Sequence, residues 1–216
     1  MLRNTKAVIF DLDGTLIDSM WIWKDIDIAY FAEKGIEMPE DLQEKIEGMS
    51  MRETATFMKK TFDIEDDEQT MMNTWNHMAM DAYCHRVPLK EGAKEFLQFL
   101  KEQGIKTGIA TSNSKELLHA VAEKLDLYSY IDCFLTGNEV AHGKPFPDVY
   151  LEVAQRLAVS PRDCLVFEDV LPGIMAGKHA GMRVCAIYDD YTKDVVEEKK
   201  QSADYYIQNY RELLPE

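Results

Sequence analysis

The segment Ala7-Val8-Ile9-Phe10-Asp11-Leu12-Asp13-Gly14-Thr15 runs four apolar residues straight into two aspartates and a glycine. A continuously apolar run has the pattern of a strand buried on both faces, as in a parallel sheet. Extended backbone has a period of two, which predicts Asp11 and Asp13 on one side of the chain at the strand's carboxyl end. Two carboxylates about 4 Å apart repel by roughly 4 kcal/mol at an effective dielectric near 20. A divalent cation, a retained proton, or both would relieve that repulsion. Taken alone, the same D-x-D-G pattern also describes a turn with a solvated acidic edge.

Outward from this segment, short apolar or β-branched runs recur at 106–111, 133–136, 164–168, 183–188 and, more weakly, 203–207. Amphipathic helical patterns over 92–103, 114–125 and 147–158 separate them; the first ends at Gly104 and the second opens on Ser114, an N-cap residue. Alternating strand and helix predict an α/β fold with a doubly wound, Rossmann-like parallel sheet and ligands at the carboxyl ends of its strands. From Asp18 to Arg86 no strand pattern appears, only helical periodicity rich in Met and Trp. The expected division is therefore a catalytic core of residues 1–17 and 87–216, with an α-helical cap of residues 18–86 inserted after the first strand.

The 216 residues carry 24 Lys and Arg against 39 Asp and Glu, a formal charge of −15. No basic stripe is present to displace counterions, which argues against nucleic acid. An acidic chain that handles an anion has to create positive potential locally, with a lysine, a helix N-terminus or a metal. Cys84, Cys133, Cys164 and Cys185 are scattered without C-x-x-C spacing, which reads as free thiols in a reducing compartment. With no signal-peptide pattern and no bilayer-length apolar run, the expectation is a cytoplasmic monomer that does not touch membranes.

The other strand ends add chemistry. Thr111-Ser112-Asn113 offers hydroxyls and backbone N–H groups ahead of a helix start, either an anion cradle or an ordinary cap cluster. Lys144, between Gly143 and Pro145, supplies either an inward-aimed charge or an exposed loop lysine. Glu168-Asp169 is a second acidic pair at a strand end, or merely a cap for the helix that follows. Together the four strand ends supply acids, hydroxyls, an ammonium and more acids, the set that magnesium-assisted phosphoryl transfer requires.

In order and spacing, Asp11-Leu12-Asp13-Gly14-Thr15-Leu16, Thr111-Ser112-Asn113, Lys144-Pro145 and Glu168-Asp169 resemble the four motifs of the haloacid-dehalogenase-like (HAD) hydrolase superfamily. The branch is that of β-phosphoglucomutase and phosphoglycolate phosphatase, and the likeness spans essentially the whole chain. The resemblance implies a covalent mechanism on a small phosphorylated metabolite. Asp11 would be the nucleophile and Asp13 the acid–base. Mg²⁺ would be held by Asp11, the main-chain oxygen of Asp13 and Asp169, with Glu168 adjoining. Thr111, Ser112, Asn113 and Lys144 would receive the phosphoryl group.

Within the cap, Trp21, Trp23, Met49, Met51, Trp75 and Met78 are candidates for pocket or core, and Arg52 for an anion contact or a solvated helix position. The chain departs from β-phosphoglucomutases at Met51, where those enzymes carry Arg, and at Trp23, where they carry His; Val170 stands where the family usually has Ser. Both cap changes favour a phosphatase of sugar-phosphate or phosphoglycolate type over a hexose-phosphate mutase. A non-catalytic phosphometabolite-binding or regulatory protein is the alternative of another class.

Overall fold

The computed structural model describes residues 1–215. In chain order the elements are β1 (Ala7–Phe10), α1 (Met20–Lys34), α2 (Leu42–Ile46), α3 (Met51–Phe62), α4 (Glu68–His85), α5 (Ala93–Glu102), β2 (Lys106–Thr111) and α6 (Lys115–Lys124). They continue as β3 (Cys133–Thr136), α7 (Asp148–Arg156), β4 (Cys164–Glu168), α8 (Leu171–His179), β5 (Arg183–Ile187), α9 (Val196–Ser202) and β6 (Tyr205–Ile207). The strands form one sheet in the order β3-β2-β1-β4-β5-β6, every pair parallel.

Alternation in β1 shows why this run had to be apolar throughout. Val8 and Phe10 face the cluster that includes Phe96 of α5 and Leu117 of α6, while Ala7 and Ile9 face Val153 of α7 and Ile174 of α8. Helices on both faces leave no wet side, so each of the four residues is fully buried. Strand order reverses at β1, between β2 on one side and β4 on the other, which opens a crevice over the carboxyl ends of these three strands.

The long helical segment α1–α4 leaves after β1 and returns before α5. Its two connections run side by side: Asp18 N donates to Pro88 O at 3.0 Å, and Lys90 N to Leu16 O at 3.0 Å. Helix α4 packs on α6, so the apolar cluster of one sheet face continues into the helical segment. Helix α3 begins with a capping box, Ser50 Oγ accepting from Glu53 N and the Glu53 carboxylate from Ser50 N. The other oxygen of Glu53 accepts from Gly143 N at 3.0 Å, tying this helix start to the loop that carries Lys144.

Candidate active site

Strand β1 stops at Phe10, so Asp11 and Asp13 lie just beyond it; both border the same crevice, where burial raises the Asp11 carboxyl and the charge of Asp13 adds to the rise. Asp11 N still donates to Phe167 O, but beyond Leu12 the chain turns at Gly14, φ +80°, where Gly14 N donates to Ile17 O. The two carboxylates therefore meet different partners. Asp11 Oδ1 accepts from Lys144 Nζ at 2.5 Å. Asp13 accepts from Ser19 Oγ at 2.6 Å, from Asn113 Nδ2 at 3.0 Å and from the Tyr83 hydroxyl.

The crowded acids are instead Asp11, Glu168 and Asp169, all buried, with carboxylate oxygens within 4.8 Å of one another. Lys144 is the single ammonium among them, 5% exposed, and it also donates to Glu168 Oε1 at 2.6 Å. Burial alone would strip its proton, but the charges of Asp11 and Glu168 overcome that and hold it above the usual lysine range. Glu168 is fully engaged: Tyr150 OH donates to Oε1 at 2.7 Å, and the N–H groups of Asp169 and Val170 donate to Oε2. Thr15 Oγ1 donates to Asp169 Oδ1 at 2.8 Å, which leaves Asp169 Oδ2 buried with no partner. Desolvation first, then the neighbouring carboxylates, push Asp11 and Asp169 above the usual carboxylate range, and for Asp11 Lys144 offsets part of the rise.

A divalent cation fits this cluster. Three carboxylates have one ammonium hydrogen-bonded among them, the donor set is hard oxygen, and one oxygen stands without a partner. Space beside that oxygen depends on Gly14, since a Cβ there would lie 2.3 Å from Asp169 Oδ2.

The crevice continues from this cluster into a cavity of about 180 Å³ walled on its other side by the helical segment. Thr111, Ser112 and Asn113 all border it. The Thr111 hydroxyl oxygen accepts from Asn113 N, whereas Ser112 Oγ donates to Gly48 O in the helical segment. Of the Trp and Met candidates, Trp23, Met49, Met51 and Trp75 line the cavity. Trp21 does not: it is exposed and stacks over the Arg86 guanidinium. Met78 packs against the apolar core, and Arg52 is exposed on α3 away from the cavity, so neither serves the site as pocket wall or anion contact.

Sequence reasoning missed Tyr83 in α4. Its hydroxyl donates to Asp13 and accepts from Trp23 Nε1 at 3.0 Å and Asn113 Nδ2 at 2.9 Å, a knot joining the helical segment to two strand ends. Burial, reinforced by Asp13, holds the phenol far above its ordinary value, so it stays a donor. Nothing local distinguishes Tyr83 from the other aromatics of the segment. Ser19 was equally unremarked, and Thr15 was quoted only within the first motif, with no role, although both lie within a few residues of the D-x-D-G run.

The haloacid dehalogenase-like hydrolase model matches residues 8–187, most of the chain. The chain belongs to this family. Among curated relatives, the hydrolase is 32% identical over 177 residues to the phosphorylated carbohydrates phosphatase of Thermotoga maritima, covering 82% of each chain. It is 34% identical over 192 residues to the β-phosphoglucomutase of Bacillus subtilis, covering 82% of this chain and 80% of the relative. Its fold matches the crystal structure of CbbY from Rhodobacter sphaeroides in complex with phosphate, with a TM-score of 0.85 at 23% identity over 97% and 96% of the two chains.

Proposed function

We propose that this hydrolase is a magnesium-dependent phosphatase of small phosphate monoesters that forms an aspartyl-phosphate on Asp11. The observation that carries the reading is the buried group Asp11–Lys144–Glu168–Asp169 at the strand ends, short of positive charge and open to a cavity. Asp11 would attack phosphorus and Lys144 would offset charge on the transferring phosphoryl oxygens. Thr111, Ser112 and Asn113 border the space that the phosphoryl group would fill. Asp13, after taking up a proton and giving up one of the three hydrogen bonds it now accepts, would protonate the leaving oxygen and then take a proton from the attacking water. Asp11, Asp169 and the main-chain oxygen of Asp13, with Glu168 adjoining, would hold Mg²⁺. That ion would neutralise phosphate charge and orient the phosphoryl group.

Residues 18–86 act in this reading as the cap over residues 1–17 and 87–216, hinged at the paired connections around Asp18 and Pro88. The hydrolytic reading is preferred to the mutase one because, among the described residues, Lys144 is the only cation lining the cavity, and it is already paired. A bisphosphate's second phosphate would face Asp27 and Glu47 instead. Four free cysteines, three of them buried, support a reducing cytoplasm.

The test is phosphate release from sugar phosphates, phosphoglycolate and nucleotides, with Mg²⁺ or EDTA. Wild type should turn over only with metal, and Asp11→Asn should lose at least about 10³-fold. Release that persists in Asp11→Asn would end the covalent mechanism. Transfer between positions of one sugar, primed by a bisphosphate, would establish the mutase.

A further inference from the structure

Lys199 on α9 is fully buried, yet the oxygens it reaches are neutral. It donates to Ile187 O at the end of β5 and to Thr192 Oγ1, each at 2.9 Å. An apolar side chain would fill the same space without taking a charge out of water. Burial works against the ammonium, while the fields of Asp169, Asp189 and Glu168 sustain it. An ammonium can only donate, so it occupies a lone pair of the Thr192 hydroxyl and leaves the hydroxyl hydrogen to be given elsewhere. Asp169 O lies 3.1 Å from Thr192 Oγ1, nearer than Asp189 O at 3.5 Å, and takes that hydrogen.

Asp169 is thereby held at three atoms. Its N–H donates to Glu168 Oε2 at 3.0 Å, its carbonyl accepts from Thr192, and its Oδ1 accepts from Thr15 Oγ1 at 2.8 Å. The remaining polar atom, Oδ2, is the one without a partner, in the space that Gly14 keeps open. We propose that Lys199 and Thr192 are positioning residues for Asp169: the ammonium orients the Thr192 hydroxyl, and the hydroxyl fixes the Asp169 carbonyl, so that Oδ2 is set to receive a divalent cation. The inference rests on the proposed function for the assignment of the metal to Asp169. Neither residue belongs to the four motifs at the strand ends. Partners that orient a metal ligand are typically worth about 10- to 100-fold in metal affinity.

Thermal unfolding of the substrate-free protein, in EDTA and then across a series of MgCl₂ concentrations, gives both the stability of each variant and its Kd for Mg²⁺. Thr192→Val keeps the shape and removes the hydroxyl, Thr192→Ser keeps the hydroxyl, and Lys199→Met keeps an apolar stem without the charge. Mg²⁺ binding should weaken about tenfold or more in Thr192→Val and in Lys199→Met, and stay within about threefold of wild type in Thr192→Ser. The double variant should bind within about threefold of Thr192→Val, because the two groups act along one path. If Lys199 and Thr192 only staple α9 to β5, the variants lose stability in EDTA while their Kd for Mg²⁺ stays that of wild type, and the proposal is overturned. If Lys199→Met does not fold, the Thr192 variants decide: equal affinity in Val and Ser removes the path by which Lys199 reaches Asp169. A wild type that Mg²⁺ does not stabilise overturns the proposal as well. Weakened Mg²⁺ binding in the variants of a protein that hydrolyses no phosphate ester would keep the positioning role and end the phosphatase reading. Hydrolysis by wild type with unchanged Mg²⁺ affinity in the variants would do the reverse.

Discussion

Tyr83 shows how much one hydroxyl can carry. It joins Asp13, Trp23 and Asn113, so Tyr83→Phe leaves Trp23 Nε1 without a partner and Asp13 held only by Ser19 and Asn113. Because the bond aims the proposed acid rather than the substrate, kcat should fall about 10- to 100-fold while KM changes less than about threefold. Steady-state kinetics check the split; a rise confined to KM would place Tyr83 in substrate binding instead. Lys144 is the complementary case. Lys144→Ala would strand the carboxylates of Asp11 and Glu168, and should cost about 3–5 kcal/mol in metal-free buffer. Urea unfolding in EDTA measures it.

Gly48 lies at a contact between the helical segment and the sheet. Its φ is +81°, and a Cβ there would sit 2.7 Å from Pro172 Cβ and 3.3 Å from Lys144 Cβ. Gly48→Ala should therefore lift the 47–50 loop off the strand ends, lowering kcat/KM about tenfold or more while the fold persists. Kinetics beside an unfolding curve separate the two effects. Helix α1 offers a pH test through Asp27. Its carboxyl rises from 3.8 to about 6 because burial penalises the charge, with Gln43 opposing. Folding is thus unpenalised below pH 3.8, and the penalty grows between 3.8 and 6 to about 2–3 kcal/mol above that. Asp27→Asn should match wild type near pH 3.5 and be more stable at pH 8, measured by thermal unfolding across that range. Equal stability at both ends would mean Asp27 is not strained as an anion.

Across the whole molecule, the expected metal should report on stability as well as turnover. Mg²⁺ at a hundred times its Kd should add about 2.7 kcal/mol to unfolding. Asp169→Asn should abolish that gain yet be more stable than wild type in EDTA, since it removes one of three crowded acids. Stabilisation by Mg²⁺ that survives in Asp169→Asn would place the ion elsewhere.

What was legible along the chain was whatever depends on near neighbours. Residues 133–136 and 164–168 declared themselves as strands because runs buried on both faces are largely apolar, and 106–111 did so through its apolar and β-branched positions although it opens on an exposed lysine. Asp11, Lys144 and Asp169 stood out because turns at strand ends concentrate polar residues beside Gly and Pro. Distant contacts left no such trace. That Asp13 would also meet Tyr83 was decided by α4 bringing a phenol across from 70 residues away. Trp23 and Trp75 line the cavity while Trp21, on the same helix as Trp23, lies outside against Arg86. Helical periodicity fixes which residues share a face, but only the packing of the segment on the sheet says which face closes a site.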